Sequence, residues 1–274
     1  MKRIFKKMLR NWNNQRAHQA NLRFISENPY IYQPENHADS FLAHYPKQTD
    51  FIPDNSPIPR KIYAFWTGNN PMPESRLSHF NRLKSTAGVE VVLVTPDNLA
   101  EYIQPEHPLH KAFNHLSLVH KADYLRCYFM HHYGGGYSDI KAAQHDWNTI
   151  FDTLNQSAAY FIGYPEIKAE DLAPVKGNTG QEMQLYFSMM AGNCAYIFRK
   201  NTPFTQEWYT ELLRRMDHYA EELAKNPGNI LGNNPGYPIP WTNILGDIFH
   251  PLCLKYSDKI LLTDKLRPNL ENYR

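Results

Sequence analysis

The chain has 274 residues, long enough to bury a sizeable core as one domain or as one domain with appendages. With 42% hydrophobic and 20% charged residues, its composition is that of an ordinary soluble globular protein, and a formal net charge of +2 favours no class of partner. The densest positive charge lies in the first ten residues rather than inside a domain. No nucleic acid partner is therefore expected.

The three cysteines, Cys127, Cys194 and Cys253, lie far apart in apolar surroundings and form neither a CxxC pair nor a zinc-binding spacing. They are expected to be reduced thiols. No stretch approaches the roughly 20 apolar residues that span a bilayer. The basic N-terminus lacks the apolar core and the cleavage site of a signal peptide. These features predict a cytoplasmic location.

Residues 1–12 have the pattern of an amphipathic helix. Bulky apolar residues share one side of a helical wheel and five cations occupy the rest of the circle: Ile4, Phe5, Met8, Leu9 and Trp12 against Lys2, Arg3, Lys6, Lys7 and Arg10. Such a helix either lies on an anionic surface, here the inner face of the cytoplasmic membrane, or packs on its own domain. Residues 28–59 are expected to form an irregular connector. Residues 1–59 are thus predicted to precede one domain at residues 60–274.

Strands and helices are predicted to alternate from residue 60 onward. Short apolar or β-branched runs indicate strands and periodic apolar residues indicate helices: strands at 61–66 and 89–94, and helices at 75–84, 97–103, 118–132 and 204–225. This alternation predicts an α/β fold in which helices cover a sheet. Ligands of such folds bind at the carboxyl ends of the strands, here after Trp66 and Val94.

Three local expectations are sharper. The strand at residues 89–94 is mostly β-branched, which is typical of a strand buried on both faces. In the helix at residues 75–84, the side chains expected to face inward are Leu77, Phe80 and Leu83. Residues 177–184 are predicted to form a polar surface loop.

Most of the residues that suggest chemistry lie at positions 120–141, HKADYLRCYFMHHYGGGYSDIK. Asp123 and Arg126 are three residues apart and share one face of a helix that is otherwise largely apolar. Two buried charges are costly unless they pair with each other or bind a ligand, and both interpretations are open. The glycines at positions 134–136 end the helix and let the backbone approach a ligand closely. A short strand then carries Asp139 at its end.

This segment resembles the DXD sugar-binding region of glycosyltransferase family 32 and of related bacterial capsular polysaccharide transferases. In that family, a buried Asp-x-x-Arg helix leads through a Tyr-Gly-Gly-x-Tyr turn into an Asp-x-Asp strand end. The matching positions here are Asp123, Arg126, Tyr133, Gly134, Gly135, Tyr137 and Asp139. Residues 58–68 (IPRKIYAFWTG) also resemble the first strand of the family, and residues 189–204 resemble a later block.

The resemblance implies a GT-A-like fold, that is, a single Rossmann-type mixed sheet flanked by helices. It also implies transfer of a hexose from a nucleotide-sugar donor, with UDP as the expected nucleotide and with retention of anomeric configuration. The acceptor is expected to be a saccharide or a lipid-linked molecule in the synthesis of capsule, lipopolysaccharide or another surface polysaccharide. The candidate donor-binding residues are then Trp66, Asp123, Arg126, Tyr133, Gly135, Gly136, Tyr137, Asp139, Trp241 and Asn243.

The chain departs from the family at Lys141, where the family has the second carboxylate of Asp-x-Asp. Paired carboxylates hold a divalent cation, Mn²⁺ or Mg²⁺, against the donor diphosphate, and an ammonium group cannot ligate that ion. Either Lys141 itself supplies the positive charge, or Asp139 keeps a metal with help from His250 or Asp247. A third alternative is loss of catalysis. Asp139, Lys141 and Asp247 are therefore candidate catalytic residues, and Asp139 and His250 are candidate metal ligands.

The C-terminal third contributes a second candidate element. Residues 228–240 interleave glycine and proline and predict a loop, and residues 241–250 predict a short helix with Ile244 and Ile248 on its inner side. The family resemblance places a substrate-covering loop in this region. The residues of interest are Trp241, Asn243, Asp247 and His250. The alternative is an ordinary loop whose tryptophan packs in the core.

The sequence contains no P-loop, G-x-G-x-x-G or G-x-S-x-G motif. Nucleotide hydrolysis, hydride transfer and α/β-hydrolase chemistry are therefore not expected. Two alternatives to a sugar transferase stay open. One is a catalytically degenerate transferase fold that acts as a nucleotide-binding or membrane-associated assembly protein. The other is a nucleotidyl- or phosphotransferase that uses the same acidic strand end.

Overall fold

The computed structural model describes residues 2–48, 51–52 and 56–269, and for residues 2–11 it describes only the course of the backbone. Seven α-helices form within these ranges: α1 (Lys2–Glu27), α2 (Glu74–Thr86), α3 (Leu118–His132), α4 (Asn148–Asn155), α5 (Gly177–Leu185), α6 (Pro203–Lys225) and α7 (Gly246–Lys255). The strands are β1 (Lys61–Phe65), β2 (Glu90–Val94), β3 (Gly135–Ser138), β4 (Phe161–Pro165), β5 (Ala191–Phe198) and β6 (Ile260–Leu262). Short 3₁₀ turns lie between several of these elements.

The six strands form one mixed sheet in the order β2–β1–β3–β5–β4–β6. Strand β1 is parallel to both β2 and β3, β5 is antiparallel to β3 and β4, and β6 is parallel to β4. Because β1 and β3 are parallel neighbours, their carboxyl ends meet at the same edge of the sheet. The predicted α/β fold with a mixed sheet is confirmed, and it is consistent with a GT-A-like arrangement.

The two faces of the sheet build two apolar layers, because successive side chains of a strand point to opposite sides. The larger layer contains α3, α6 and α7 and is rich in aromatic residues, among them Phe161, Phe198, Phe204, Trp208 and Phe249. The smaller layer contains α4, and among its members are the aliphatic strand residues Ile62, Ile162 and Ile197 and the aromatic residues Trp147 and Phe151. Helices therefore flank the sheet on both faces, as predicted.

Helix α3 is linked to β3 by a tight reversal at the glycine run. Gly134 and Gly135 have φ values of 67° and 85°, which lie in the left-handed region that favours glycine. A Cβ atom on Gly134 would lie 2.9 Å from backbone atoms of Phe198 and Lys200. Glycine at this position therefore allows the chain to enter the middle of the sheet directly after the helix, and the end of β3 lies beside α3.

Two expectations about burial are wrong. Strand β2 is an edge strand and its middle is only half-buried, because it lies outside β1 and has a neighbour on one side alone. On α2, Phe80 and Leu83 are buried as expected, but Leu77 is 46% exposed. At 3.6 residues per turn, Leu77 lies about 120° around the helix from Leu83 and so falls outside the buried stripe.

Residues 177–184 form helix α5 rather than the predicted surface loop. Thr179 and Met183 are four residues apart and both are buried, so they give the segment the apolar face that a docked helix needs. The apparent polarity of the sequence comes from the opposite face of the helix. The prediction of a loop was wrong for this reason.

Two other predicted helices differ from their expected bounds. Between residues 97 and 103 only a 3₁₀ turn forms, at Leu99–Tyr102. The side chain of Asn98 bonds to the backbone of Thr95 and Leu93, and such local bonds compete with helix formation. Helix α7 begins five residues later than predicted, at Gly246, although Ile244 and Ile248 are buried as expected.

Helix α1 contacts the rest of the chain through its C-terminal half. His18 Nδ1 lies 2.9 Å from Ser188 Oγ, and the Asn21 side chain bonds to the backbone of both Leu185 and Ser188. Trp12 is 53% exposed, and the side chains of the other predicted stripe residues lie outside the described part of the chain. No helix among the described residues is long and apolar enough to cross a membrane.

Candidate active site

A cleft of about 840 Å³ opens at the carboxyl ends of β1 and β3. Its floor includes the end of β3 and the neighbouring part of β5, and its walls come from the loop after β1, from α2 and α3, and from residues 171–173 and 230–246. This is the sheet edge at which α/β proteins bind ligands. Its size and mixed apolar and charged lining are those of a small-molecule site.

Asp123 and Arg126 lie side by side on α3 and both line the cleft. Arg126 Nη2 is 3.1 Å from Asp123 Oδ1, and Nη1 donates a 2.8 Å hydrogen bond to the Asn193 carbonyl oxygen on β5. The guanidinium carbon of Arg126 lies 4.6 Å from the ring centre of Tyr137, a cation–π distance. The Nε atom of Arg126 is buried and has no hydrogen-bond acceptor among the described residues.

Asp139 follows β3 directly and lies at the centre of a charged cluster. Its Oδ2 atom is 2.9 Å from Lys141 Nζ, and its Oδ1 atom accepts a 2.6 Å hydrogen bond from the Tyr137 hydroxyl and lies 3.6 Å from Arg126 Nη2. Burial alone would raise the pKa of Asp139, but Lys141, Arg126 and the Tyr137 hydroxyl outweigh it and lower the pKa to about 2. Asp139 is therefore an anion throughout the physiological range.

Lys141 lies behind the cleft wall rather than in it. Its side chain is about 5% exposed, and besides the ion pair it donates a 3.0 Å hydrogen bond to Cys194 Sγ. Asp139 and Cys194 both line the cleft, whereas Lys141 is absent from the lining. The lysine at the position of the expected second carboxylate is thus bound to the first carboxylate.

Asp123 and Asp139 have opposite electrostatic surroundings. Burial raises the pKa of Asp123, and the charge of Arg126 opposes that rise without cancelling it. Asp139 has two cations near it and a depressed pKa. Arg126 lies between the two carboxyl groups and links α3 to the strand end.

The loop at residues 228–240 forms the wall above α3. Backbone N–H groups at the start of a helix have no partner within the helix, and here those of Leu118 and Val119 donate 3.2 Å bonds to the carbonyl oxygens of Asn229 and Ile230. The Tyr237 hydroxyl lies 2.8 Å from His120 Nδ1. The predicted loop is thereby fastened to the helix that carries Asp123 and Arg126.

Trp241 stands at the rim of the cleft. Its side chain is 61% exposed and, together with the exposed side chains of Ile230 and Leu231, lines the opening. Its own carbonyl oxygen lies 3.3 Å from His120 Nε2. The core-packing alternative for this tryptophan is therefore wrong, because the ring is turned towards solvent.

His250 lines the cleft with both ring nitrogens engaged. Nδ1 accepts a 3.0 Å bond from the Ala173 backbone N–H, and Nε2 lies 3.2 Å from the Asn193 amide. The Asn193 Oδ1 atom is buried without a donor among the described residues, so the reverse amide orientation, in which His250 Nε2–H donates to Asn193 Oδ1, satisfies both atoms. Burial lowers the pKa of His250 to about 4, which leaves the ring neutral near pH 7.

Asn243 and Asp247 do not line the cleft. Their carbonyl oxygens accept hydrogen bonds from Arg215 on α6, and the Oδ1 atoms of both side chains are buried without a partner among the described residues. Arg215 is itself held by Glu211. Both residues therefore help to fix the start of α7. This position differs from the places in the site that were expected for Asn243 and Asp247.

Of the candidate site residues, the structure brings seven together around the cleft: Trp66, Asp123, Arg126, Tyr137, Asp139, Trp241 and His250. Lys141 lies directly behind them. Tyr133 points away and donates a hydrogen bond to the Tyr102 carbonyl oxygen. Gly135 and Gly136 lie against β1, where their missing side chains allow close packing on the Lys61 carbonyl oxygen.

Several polar residues of the lining were not predicted from the sequence, among them Arg76, Asp171, Asn193 and Cys194. Arg76 lies on α2 and donates a long 3.4 Å bond to the Ile140 carbonyl oxygen. Asn193 and Cys194 reach the cleft because β5 pairs antiparallel with β3, so that Ala195 is opposite Ser138. Asn193 and Cys194 lie within the block at residues 189–204 that resembles the family, but the sequence does not indicate which side chains of that block reach the cleft. Tertiary pairing of β5 with β3 decides this.

The side chains present do not fit a divalent cation held by Asp139 and His250. Both carboxylate oxygens of Asp139 and both ring nitrogens of His250 have other partners at bonding distance. Among the described residues, no group of three or more His, Cys, Asp or Glu side chains is placed to hold a metal ion. The ammonium group of Lys141 stands where the second carboxylate of the Asp-x-Asp pattern was expected.

A mixed α/β sheet with a charged cleft at the ends of its parallel strands is an arrangement in which α/β proteins commonly bind small molecules. Residues 6–170, more than half of the chain, match a family described as capsular polysaccharide synthesis protein. The chain therefore belongs to this family. Among curated proteins, none matches the chain.

Solved structures that resemble the chain include one titled PaToxG Glycosyltransferase. The two chains share 12% sequence identity, and the match covers 79% of this chain and 76% of the other, with a TM-score of 0.38. The assignment to the capsular polysaccharide synthesis family rests on the sequence match.

Proposed function

We propose that this protein is a glycosyltransferase of the DXD-related, family 32 type. It transfers a hexose from a UDP-linked donor to a saccharide or lipid-linked acceptor during synthesis of a bacterial surface polysaccharide. The observation that carries the proposal is the convergence of Asp123, Arg126 and Asp139 in one cleft at the carboxyl ends of β1 and β3. Membership of the capsular polysaccharide synthesis family supports the biological setting.

In this proposal, each side chain of the cleft has a distinct role towards the donor. The carboxylate of Asp123 accepts hydrogen bonds from hydroxyl groups of the donor sugar or ribose, and the guanidinium group of Arg126 binds donor oxygens. Asp139 fixes Arg126 by charge at 3.6 Å. Trp66 and Trp241 present flat apolar surfaces at the mouth of the cleft, which suit stacking on a base or a sugar.

The transfer step places negative charge on the leaving group. The bond between the anomeric carbon and the β-phosphate oxygen breaks, and its electron pair stays on that oxygen. The acceptor hydroxyl oxygen bonds to the anomeric carbon from the same face, and its proton passes to the departing phosphate oxygen, so the configuration is retained. Cations fixed in a cleft that excludes water stabilise the charge that develops on the diphosphate.

We also propose that the first half of α1 lies on an anionic membrane surface, at the inner face of the cytoplasmic membrane. Among the residues whose side chains the structure describes, the hydrogen bonds from α1 to the rest of the chain begin at His18, and Trp12 is 53% exposed. The five cations of residues 2–10 would lie near lipid phosphates. This placement would bring the protein to the surface that carries lipid-linked acceptors.

The test of the transferase is product analysis across a panel of UDP-sugars with saccharide and lipid-linked acceptors. We expect release of UDP together with a new glycosidic bond that has the same anomeric configuration as the donor. Asp123→Asn should lower the rate of product formation by a factor on the order of a hundred, whereas Asp97→Asn, at an exposed loop residue, should leave it unchanged. UDP binding without transfer throughout the panel would favour the degenerate assembly protein. Transfer of phosphate or nucleotide instead of sugar would favour the phosphotransferase class.

A further inference from the structure

Three cationic side chains surround the segment from Asp139 to Lys141. Arg126 on α3 lies 3.6 Å from the Asp139 carboxylate, and Lys141, the last residue of the segment, forms an ion pair with the same carboxylate. Arg76 approaches it from α2, where its Nη1 atom reaches the Ile140 carbonyl oxygen. Arg76 and Arg126 both line the cleft, and Lys141 lies behind it. Two guanidinium groups therefore reach the same space from two different helices.

The charges of the inner cluster cancel. Asp123 and Asp139 contribute two negative charges, and Arg126 and Lys141 contribute two positive charges. A diphosphate that enters this neutral cluster needs further positive charge, and the charged lining of the cleft contains one more cation, Arg76, within the described residues. The other acidic residue of the lining, Asp171, is paired at 2.7 Å with Lys168.

We propose that Arg76 and Arg126 together bind the diphosphate of the donor, in a site that needs no divalent metal ion. Lys141 is a positioning residue that holds Asp139 against Arg126. The proposal rests on the proposed nucleotide-sugar transferase function and names how that donor is held. It assigns to two guanidinium groups the charge that a metal held by two carboxylates would otherwise supply.

The geometry of the arginine side chain supports this assignment. A planar guanidinium group offers parallel N–H donors that match two oxygens of a phosphate, which an ammonium group does not. Arg126 has a buried Nε donor with no acceptor among the described residues. A buried cationic donor without an acceptor is costly, and a bound anion would offset that cost.

The position of Lys141 explains why it acts through Asp139. Its ammonium group bonds to Asp139 Oδ2 and Cys194 Sγ, and these two residues separate it from the cleft. A carboxylate held in this way keeps its charge beside Arg126 and is not open to a metal ion. Exchange of the lysine for a carboxylate should therefore create a metal site in place of the ion pair.

The experiment measures UDP binding by calorimetry, with EDTA and then with Mn²⁺. Wild type should bind in EDTA with an affinity within about twofold of that in Mn²⁺. Loss of one charged hydrogen-bond donor pair should weaken binding about ten- to hundredfold in Arg76→Ala. Arg76→Lys should recover only part of this, since an ammonium lacks the planar fork. Arg82→Ala, an exposed arginine on the same helix, is the matched control and should bind as wild type.

The role of Lys141 is tested by metal dependence, a property that a merely structural residue would not change. Lys141→Asp should bind UDP weakly in EDTA and at least tenfold more tightly in Mn²⁺, whereas Lys141→Arg should stay independent of the metal. Thermal melting of each variant shows that the protein measured is folded. Should Lys141→Asp not fold, the comparison of wild type with Arg76→Ala decides the proposal.

Two results would overturn this inference while leaving the transferase intact: UDP binding by wild type that is lost in EDTA and restored by Mn²⁺, or unchanged binding by Arg76→Ala. Metal-independent, Arg76-dependent UDP binding with no sugar transfer across the panel would overturn the transferase and leave the diphosphate site standing. Absence of UDP binding by wild type under both conditions would overturn both proposals.

Discussion

Lys141 Nζ and Asp139 Oδ2 lie 2.9 Å apart, and the two side chains are only 5% and 14% exposed. An ion pair this deeply buried has a specific consequence for mutation. Removing one partner leaves the other as a buried charge with less compensation, which typically costs about 3 to 5 kcal/mol. Replacing both partners by uncharged groups of similar size is far less costly.

The first prediction separates the two roles of Asp139. Asp139→Asn should abolish transfer and also lower the melting temperature, because Lys141 loses its counter-ion. The double variant Asp139→Asn/Lys141→Met should recover most of the stability and none of the activity. Melting curves and initial rates on the three proteins check this. Near-normal turnover in either variant would show that Asp139 has no part in the reaction.

The second prediction concerns Asp123 and Arg126, which lie 3.1 Å apart on α3. Asp123→Asn and Arg126→Lys should each lower kcat/KM by a factor on the order of a hundred. Arg126→Lys keeps the charge but loses the planar donors and the stacking on Tyr137. Rates should be normalised to the folded fraction. If only stability falls, with unchanged kinetics in the folded protein, the pair has a structural role alone.

The third prediction is a loss of stability in acid. Burial lowers the pKa values of His131 and His132 to about 4, from 6.5. Between these two pH values the unfolded chain binds protons that the folded chain does not, so the free energy of unfolding should fall as the pH is lowered through this window. Urea unfolding at about pH 7 and about pH 5 measures the difference. His132→Phe should make it smaller.

The control for this measurement is Gln144→Ala, since Gln144 is exposed and carries no titratable group, so this variant should show the pH dependence of the wild type. His132 stacks on His107 with ring centres 4.5 Å apart, so phenylalanine keeps the aromatic packing. An equal slope in His132→Phe and wild type would mean that other groups cause the acid sensitivity.

The fourth prediction is membrane association through the first twelve residues. A chain that lacks residues 1–12 keeps the His18 and Asn21 contacts of α1 and should retain activity on a soluble acceptor. It should no longer bind anionic liposomes. High salt should weaken binding of the full chain, because each of the five cations contributes about 1 kcal/mol near an anionic surface. Equal partitioning of both proteins would show that the helix has another role.

The features that the sequence predicts are the ones set by neighbours in the chain. The apolar period of α3, the glycine turn and the placement of Asp139 after a strand all follow from local patterns, and the structure brings Asp123, Arg126 and Asp139 together. Arg76 and Cys194 reach the cleft from α2 and β5 through packing and strand pairing. The edge position of β2 likewise depends on strand order, which composition does not specify.

Lys141 also shows that a local pattern does not specify which way a side chain points. Its position two residues after Asp139 indicates that the two side chains are near each other. It does not show whether the ammonium group faces the cleft or the interior. That orientation depends on Cys194, which is 53 residues away and accepts its hydrogen bond.

The loop at residues 228–240 is held in place mainly through main-chain atoms. The carbonyl oxygens of Asn229 and Ile230 accept hydrogen bonds from the start of α3, and Gly228 donates its N–H to the carbonyl oxygen of His115, which precedes α3. Any non-proline residue supplies such atoms. The side chains of Ile230 and Leu231 at the rim are therefore free to be exchanged without loosening the loop. A library randomised at these two positions is a route to new acceptor preferences. It leaves the floor of the cleft, where the donor is proposed to bind, unchanged.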